Sequence, residues 1–168
     1  MTVYSLSGVS VLVVDDNQFM RKLLIEALQA MGVGDVAVAT NGVKALEKLR
    51  AQQVDLVVTD LEMENGGGLE LIRAVRKGRS VPDPLVPILV LSANTLAKTI
   101  HAARDAGMTE FLAKPITAKA LYRRISAIVE TPRNFVRTNT YFGPDRRRRN
   151  DPNYRGERRR ATDRAERG

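Results

Sequence analysis

The sequence predicts an α/β protein with a doubly wound, five-stranded parallel sheet and a disordered C-terminal tail. Short β-branched runs alternate with helical patterns five times over about 120 residues, as in βαβ units. This alternation stops after Glu130, where the charge also changes. Residues 131–168 hold 12 arginines, no lysine and five acids, whereas residues 1–130 are nearly neutral. We therefore expect a globular domain at residues 9–130 and a separate tail at residues 131–168.

The first two units show the pattern most clearly. Residues 9–14 form a run that is apolar except for Ser10, typical of a strand buried on both faces, and a helix is predicted at residues 19–31, ending before Gly32. A strand at residues 36–39 then precedes a helix at residues 43–50, for which Asn41 is a suitable cap. Both strands end at polar residues, which predicts loops at the same edge of the sheet.

The remaining three units repeat this order. Strands are predicted at residues 56–59, 86–91 and 110–113, and helices at residues 69–77, 95–106 and 117–129. Gly107 is a suitable left-handed end for the fourth helix, and Thr117 is a suitable cap for the fifth. Beyond them, three prolines and few apolar residues predict a tail too poor in apolar surface to fold alone.

Composition excludes several classes of protein. There is no cysteine and only one histidine, which excludes disulfide frameworks, thiolate metal sites and a Ser-His-Asp triad. No apolar run approaches the ~18 residues of a membrane span, and the first residues lack the pattern of a signal peptide. We therefore expect a cytoplasmic protein, despite a net charge of +8 and a pI near 10.2.

Five polar side chains follow the predicted strands directly: Asp15, Asp16, Asp60, Ser92 and Lys114. Because the carboxyl ends of parallel strands meet at one edge of the sheet, we expect these side chains to share a pocket. Clustered carboxylates without histidine or cysteine suit Mg²⁺, and a carboxylate can act as a nucleophile toward phosphorus. Lysine and serine would then stabilise the added phosphoryl oxygens.

These residues resemble a CheY-like response-regulator receiver domain, through Asp15-Asp16, Asp60, Ser92-Ala93 and Lys114-Pro115. The resemblance implies that Asp60 is the phosphoacceptor. It also implies roles for other residues: Mg²⁺ ligation by Asp15, Asp16, Asp60 and the Glu62 carbonyl, phosphoryl binding by Ser92 and Lys114, a switch role for Phe111, and a cis Lys114–Pro115 bond. Only self-phosphorylation and self-dephosphorylation are expected, not turnover of an external substrate.

One loop departs from the family pattern. The usual Met-Pro after the phosphoacceptor strand is Met63-Glu64 here, and three glycines follow at residues 66–68. We expect a looser loop than usual, with an altered rate of phosphorylation and lifetime of the phosphorylated state.

The tail allows three interpretations: a solvated segment, a nonspecific binder of nucleic acid or anionic surfaces, or a site for a guanine nucleotide. Exclusive use of arginine favours the third, because its planar fork matches guanine and phosphate bidentately. An aromatic, a glycine, an acid and an arginine run occur at residues 141–149 and again, in similar form, at residues 154–160. Two such copies suit a ligand with two guanines.

The segment beginning Phe142-Gly143-Pro144-Asp145 resembles the tail of the CheY-like cyclic di-GMP effectors, the Cle family. The resemblance implies that the tail binds cyclic di-GMP and orders around it. The candidate ligand residues are Arg137, Tyr141, Phe142, Asp145, Arg146, Arg147, Arg148, Arg149, Tyr154, Arg155, Glu157, Arg158, Arg159 and Arg160.

The resemblance also implies two protein partners and a cellular location. The output partner is the flagellar motor switch protein FliM or a similar protein, to which the protein would be recruited at the motor. A histidine kinase or phosphotransfer protein would supply phosphate, and a monomer is expected without ligand. The alternative function is a phosphorylation-dependent receiver whose basic tail binds nucleic acid or anionic surfaces nonspecifically.

Overall fold

The computed structural model describes residues 5–64, 67–79 and 81–146. Five strands form one parallel sheet: β1 (Ser10–Val14), β2 (Asp35–Ala39), β3 (Leu56–Asp60), β4 (Ile88–Ser92) and β5 (Glu110–Ala113). The strand order is β2-β1-β3-β4-β5, and every neighbouring pair is parallel. The predicted fold class is confirmed.

Among the described residues, four helices connect these strands, a fifth follows β5, and together they cover both faces: α1 (Gln18–Ala30), α2 (Gly42–Ala51), α3 (Gly68–Arg76), α4 (Ala97–Ala106) and α5 (Ala118–Glu130). Side chains alternate along the strands, so that Val11 and Val13 pack with α1 and α5, whereas Leu12 and Val14 pack with α2, α3 and α4. Two apolar layers thus hold the sheet, which leaves the strand ends free to carry polar groups.

Helix boundaries follow the expected capping chemistry. The Asn41 and Thr117 side chains accept hydrogen bonds from the backbone N–H groups of Lys44 and Ala120. Gly107 ends α4 with a φ of 110°, a conformation that favours glycine. All three predicted caps are therefore present.

The prediction of a disordered tail is wrong for its first part. Two antiparallel strands, β6 (Phe135–Arg137) and β7 (Phe142–Pro144), form a hairpin. The Phe135 and Phe142 rings lie 5.8 Å apart, and Tyr141 is buried against the rest of the protein. Disorder was predicted because the tail has too few apolar residues to form a core of its own. The hairpin instead packs on the surface of the globular domain. Residues 147–168 lie outside the described residues.

Candidate functional site

The predicted acidic pocket lies at the carboxyl ends of β1 and β3. Asp15 follows β1 and is 1% exposed, Asp60 ends β3 and is 4% exposed, and Asp16 is open to solvent. One carboxylate oxygen from each of the three lies within 4.8 Å of the others. Three negative charges at this separation repel one another, so the arrangement requires nearby positive charge.

Lys114 supplies positive charge from the end of β5, at the same edge of the sheet. Its Nζ lies 3.0 Å from Asp60 Oδ1 and 3.9 Å from Asp15 Oδ2. The position follows from β5, which ends at Ala113, so that Lys114 emerges beside the other strand ends. The Lys114–Pro115 peptide bond is cis, as the resemblance implied.

Burial changes the acidity of both inner carboxyl groups. It raises the pKa of Asp60, while the ammonium group of Lys114 acts in the opposite direction. It also raises the pKa of Asp15, opposed first by the backbone N–H of Asn17, which donates to Asp15 Oδ1 at 2.8 Å. The ionised pocket is therefore under electrostatic stress that a bound cation would relieve.

The donor set fits Mg²⁺. The three carboxylates offer hard oxygen ligands, and Asp15 Oδ2 is buried without a hydrogen-bond partner among the described residues. Asp16 Oδ2 accepts from the Glu64 backbone N–H at 3.1 Å, so the loop after β3 also contacts the cluster. The cluster Asp15, Asp16 and Asp60 is thus compatible with Mg²⁺.

Ser92 lies at the end of β4 and is fully buried. Its hydroxyl donates to Glu62 Oε1 at 2.6 Å and accepts from the Asn94 backbone N–H at 3.0 Å. The sequence analysis gave Glu62 a role only through its backbone carbonyl. The Glu62 side chain therefore makes a contact that was not predicted. This contact engages the Ser92 hydroxyl, which is predicted to bind a phosphoryl group.

Two further residues at this edge were missed by the sequence analysis. Arg21 from α1 donates to the Asp15 carbonyl at 2.7 Å, which fixes the backbone between the two N-terminal acids. Gly68 begins α3, and a Cβ there would overlap the backbone of Asp60 and Leu61. Helical spacing could have suggested Arg21, four residues after the Asn17 cap; nothing in the pattern singled out Gly68 within its glycine run.

Phe111 lies on β5 three residues before Lys114 and is half-buried against the layer formed with α2, α3 and α4. This position joins the pocket edge to the surface beside α4. Its predicted switch role remains a prediction.

The described candidate ligand residues of the tail lie far from this pocket, on the hairpin. Arg137 is exposed, with its guanidinium carbon 4.2 Å from the centre of the Phe142 ring. Tyr141 is 9% exposed, and its ring is covered by Arg146 at 3.8 Å. Asp145 is half-buried beside them. The remaining candidates lie outside the described residues: Arg147, Arg148, Arg149, Tyr154, Arg155, Glu157, Arg158, Arg159 and Arg160.

A doubly wound parallel sheet with an acidic cluster and an opposing lysine at its carboxyl edge defines a phosphoryl-signalling class of domain. The family model for the response regulator receiver domain matches residues 11–126, and the chain belongs to that family. Membership implies a kinase or phosphotransfer protein as partner. Within the described ranges, no helix has the length and apolarity needed to cross a bilayer.

Two relatives differ in how much of their length is matched. The chemotaxis protein CheY of Pseudomonas aeruginosa is 33% identical over 120 residues, covering 71% of this chain and 95% of CheY. The CAI-1 autoinducer sensor kinase/phosphatase CqsS of Vibrio cholerae is 34% identical over 119 residues, covering 71% of this chain but only 17% of CqsS. The similarity to CqsS therefore concerns one segment of a much longer protein.

Solved structures give the same result. Vibrio cholerae CheY4 superposes with a TM-score of 0.66 at 28% identity, covering 71% of this chain and 98% of CheY4. The receiver domain of the sensor histidine kinase PA1611 from Pseudomonas aeruginosa, with magnesium coordinated in its active-site cleft, has a TM-score of 0.65 at 25% identity. That match covers 73% of this chain and 98% of the other. Both matches cover the receiver but not the whole tail.

Proposed function

We propose that the chain acts as a response regulator in which Asp60 accepts a phosphoryl group. The observation that carries this proposal is the 3.0 Å contact between Lys114 Nζ and Asp60 Oδ1 inside a cluster of three carboxylates. A buried carboxylate facing an ammonium group is placed to be a nucleophile whose product gains charge that the lysine can stabilise.

The reaction is a phosphoryl transfer to Asp60. One carboxylate oxygen forms a bond to phosphorus while the bond from phosphorus to the donor breaks. Lys114 and the Ser92 hydroxyl then contact the phosphoryl oxygens. Mg²⁺ held by Asp15, Asp16, Asp60 and the Glu62 carbonyl would neutralise charge on those oxygens. Attack of water on phosphorus would break the bond to Asp60 and release inorganic phosphate, which restores the free carboxylate. The chain would thus catalyse its own phosphorylation and its own dephosphorylation.

Labelling with a small acyl phosphate and Mg²⁺, followed by intact-mass spectrometry, tests the acceptor. We expect Asp60→Asn to abolish labelling. Asp35→Asn is the matched control, because Asp35 is an exposed aspartate at the start of β2, at the opposite edge of the sheet. Labelling that persists in Asp60→Asn would remove Asp60 as the acceptor.

A second input, cyclic di-GMP, is supported by the composition of the tail. Residues 131–168 carry 12 arginines and no lysine, and charge alone would not require this choice. The guanidinium carbon of Arg137 lies 4.2 Å from the centre of the Phe142 ring, and a guanine base would offer an arginine the same kind of aromatic face. Bound ligand would order the arginine-rich segment and promote docking to a partner such as FliM, recruiting the protein to the flagellar motor.

Calorimetric titration of the full chain separates this function from nonspecific binding. Cyclic di-GMP, GTP and a random oligonucleotide would be titrated at physiological salt, and we expect binding of cyclic di-GMP alone to be saturable and tight. Arg147→Lys combined with Arg148→Lys keeps the charge but removes the planar forks, and should weaken binding. Arg123→Lys, at an exposed position on α5, is the control.

Two outcomes would contradict the cyclic di-GMP proposal. Equal binding of the oligonucleotide would favour the alternative of a nonspecific basic tail. Unchanged affinity of the double lysine variant would favour simple electrostatics. Partner docking is tested separately, by titrating FliM with and without cyclic di-GMP and asking whether the nucleotide raises the affinity.

A further inference from the structure

The hairpin contacts the globular domain through backbone rather than through side chains alone. A Cβ at Gly107 would lie 3.1 Å from the Phe142 carbonyl oxygen, and a Cβ at Gly143 would lie 2.9 Å from Gly107 Cα. Real Cβ atoms essentially never come as close as the second separation, and the first is tighter than most Cβ contacts. The two glycines thus bring β7 directly onto the turn between α4 and β5.

Arg76 of α3 joins this contact to the loop before β4. The side chain is 5% exposed, with its guanidinium carbon 4.9 Å from the Phe135 ring centre. Its Nε donates to the Gly107 carbonyl at 2.9 Å, and one terminal nitrogen donates to the Pro84 and Val86 carbonyls at 2.6 and 2.8 Å. One buried arginine from α3 therefore supports both the turn after α4 and the hairpin.

Arg146 makes the matching contact at the end of the hairpin. Its guanidinium covers the Tyr141 ring and lies 3.2 Å from Asp105 Oδ1, on the last turn of α4. The Tyr141 hydroxyl donates to the Pro144 carbonyl at 2.7 Å, which fixes the ring beneath the guanidinium. The first residue of the arginine run is therefore attached to α4.

Helix α4 has few other anchors. Only Ala103 is buried among its ten residues, whereas α3 buries five of nine. The residue before α4, Leu96, makes no side-chain cap and is 57% exposed. Elements with so little buried surface open most readily. Ile100 and Ala106 are partly buried against the core, and the contacts at Asp105 and Gly107 add to this small buried surface at the C-terminal end of the helix.

We propose that the hairpin, residues 135–144, together with Arg146, is a clamp on the C-terminal end of α4. While the clamp is closed, α4 stays packed on the sheet. Any partner that draws Arg146 away from Asp105 opens the clamp and loosens α4, including its N-terminal connection to Ser92. The clamp consists of described residues only. Its existence therefore does not depend on whether the arginine run binds cyclic di-GMP.

Hydrogen exchange of the full chain, read by mass spectrometry, tests the clamp without ligand. Arg146→Asp should speed exchange in residues 97–106 by about two- to fivefold, the range that a single partly exposed ion pair supports. Asp105→Arg should speed it at least as much, because it also removes the 3.8 Å contact with Arg104 Nε. The combined variant reverses the pair and should restore slow exchange. Exchange in α1 and α2 should not change in any of them.

Arg73→Asp is the matched control, because Arg73 is an exposed arginine on α3 whose ion-pair partner is Glu70. It should leave α4 unchanged. If the hairpin exchanges faster in Arg146→Asp while α4 does not, the clamp is refuted. If neither segment responds, Gly143→Val serves as the second variant, since its side chain would overlap Gly107. Unchanged α4 exchange in that variant would also refute the proposal.

Discussion

Glu62→Gln should speed phosphorylation of Asp60. In the unphosphorylated protein the single Ser92 proton is donated to the Glu62 carboxylate at 2.6 Å, so it must leave Glu62 before it can contact a phosphoryl oxygen. A hydrogen bond to a charged acceptor contributes about 1.5–3 kcal/mol, and one to a neutral acceptor about 0.5–1.5 kcal/mol. Because Glu62 is exposed, the lower end of each range applies, and the two hydrogen bonds differ by about 1 kcal/mol.

A difference of about 1 kcal/mol corresponds to roughly a fivefold faster reaction. The initial rate of labelling by an acyl phosphate with Mg²⁺ measures it. Glu64→Gln is the control, because Glu64 is an exposed carboxylate on the same loop and only its backbone N–H contacts the acidic cluster. An unchanged rate in Glu62→Gln would refute the reasoning. Equal acceleration in both variants would show a general charge effect instead.

Three further predictions concern stability, each measured by urea unfolding. Arg76→Met should lower the free energy of unfolding by about 3 kcal/mol, because three backbone carbonyls lose a charged hydrogen-bond donor. The control Arg73→Met, at an exposed position on the same helix, should change the free energy of unfolding by less than about 0.5 kcal/mol. Gly107→Ala should destabilise by about 2 kcal/mol and by more than Gly32→Ala, because both have positive φ but only Gly107 faces other described atoms. Without Mg²⁺, Asp60→Asn should be more stable than wild type at neutral pH. Burial raises the pKa of Asp60, so its ionised form destabilises the fold, and the advantage should shrink as pH falls through that raised pKa. An advantage that grows with acidification would contradict this assignment.

The acidic pocket could be predicted from the sequence because topology alone determines it. Once five parallel strands are recognised, Asp15, Asp60 and Lys114 must emerge at one edge, whatever their side chains do. The Ser92–Glu62 hydrogen bond could not be predicted, because Glu62 lies in a loop whose side-chain direction no periodicity determines.

The hairpin was missed for a different reason. Disorder was predicted because the tail has fewer apolar residues than a segment needs to form a core of its own. Yet the Phe135 ring is covered by Arg76, which belongs to a helix almost sixty residues earlier. Arg76 itself has an unusual environment, since burial lowers its pKa to about 10. The signal in the sequence is an arginine at helical spacing from Ile72 on the apolar face of α3, because a charged residue in that position needs a partner.

The acidic pocket and the anchor of the hairpin lie at opposite ends of the same strand. Lys114 follows the carboxyl end of β5, whereas Arg133 donates to the Thr109 carbonyl just before its other end, at 2.9 Å. The five residue steps from Thr109 to Lys114 span about 16 Å, so a phosphoryl group on Asp60 is too far away to contact this anchor directly. We therefore expect any coupling between the pocket and the hairpin to pass through β5 or α4. Coupling between two sites is reciprocal. If a ligand opens the clamp and thereby shifts the phosphorylation equilibrium of Asp60 by some factor, phosphorylation of Asp60 must change the affinity for that ligand by the same factor.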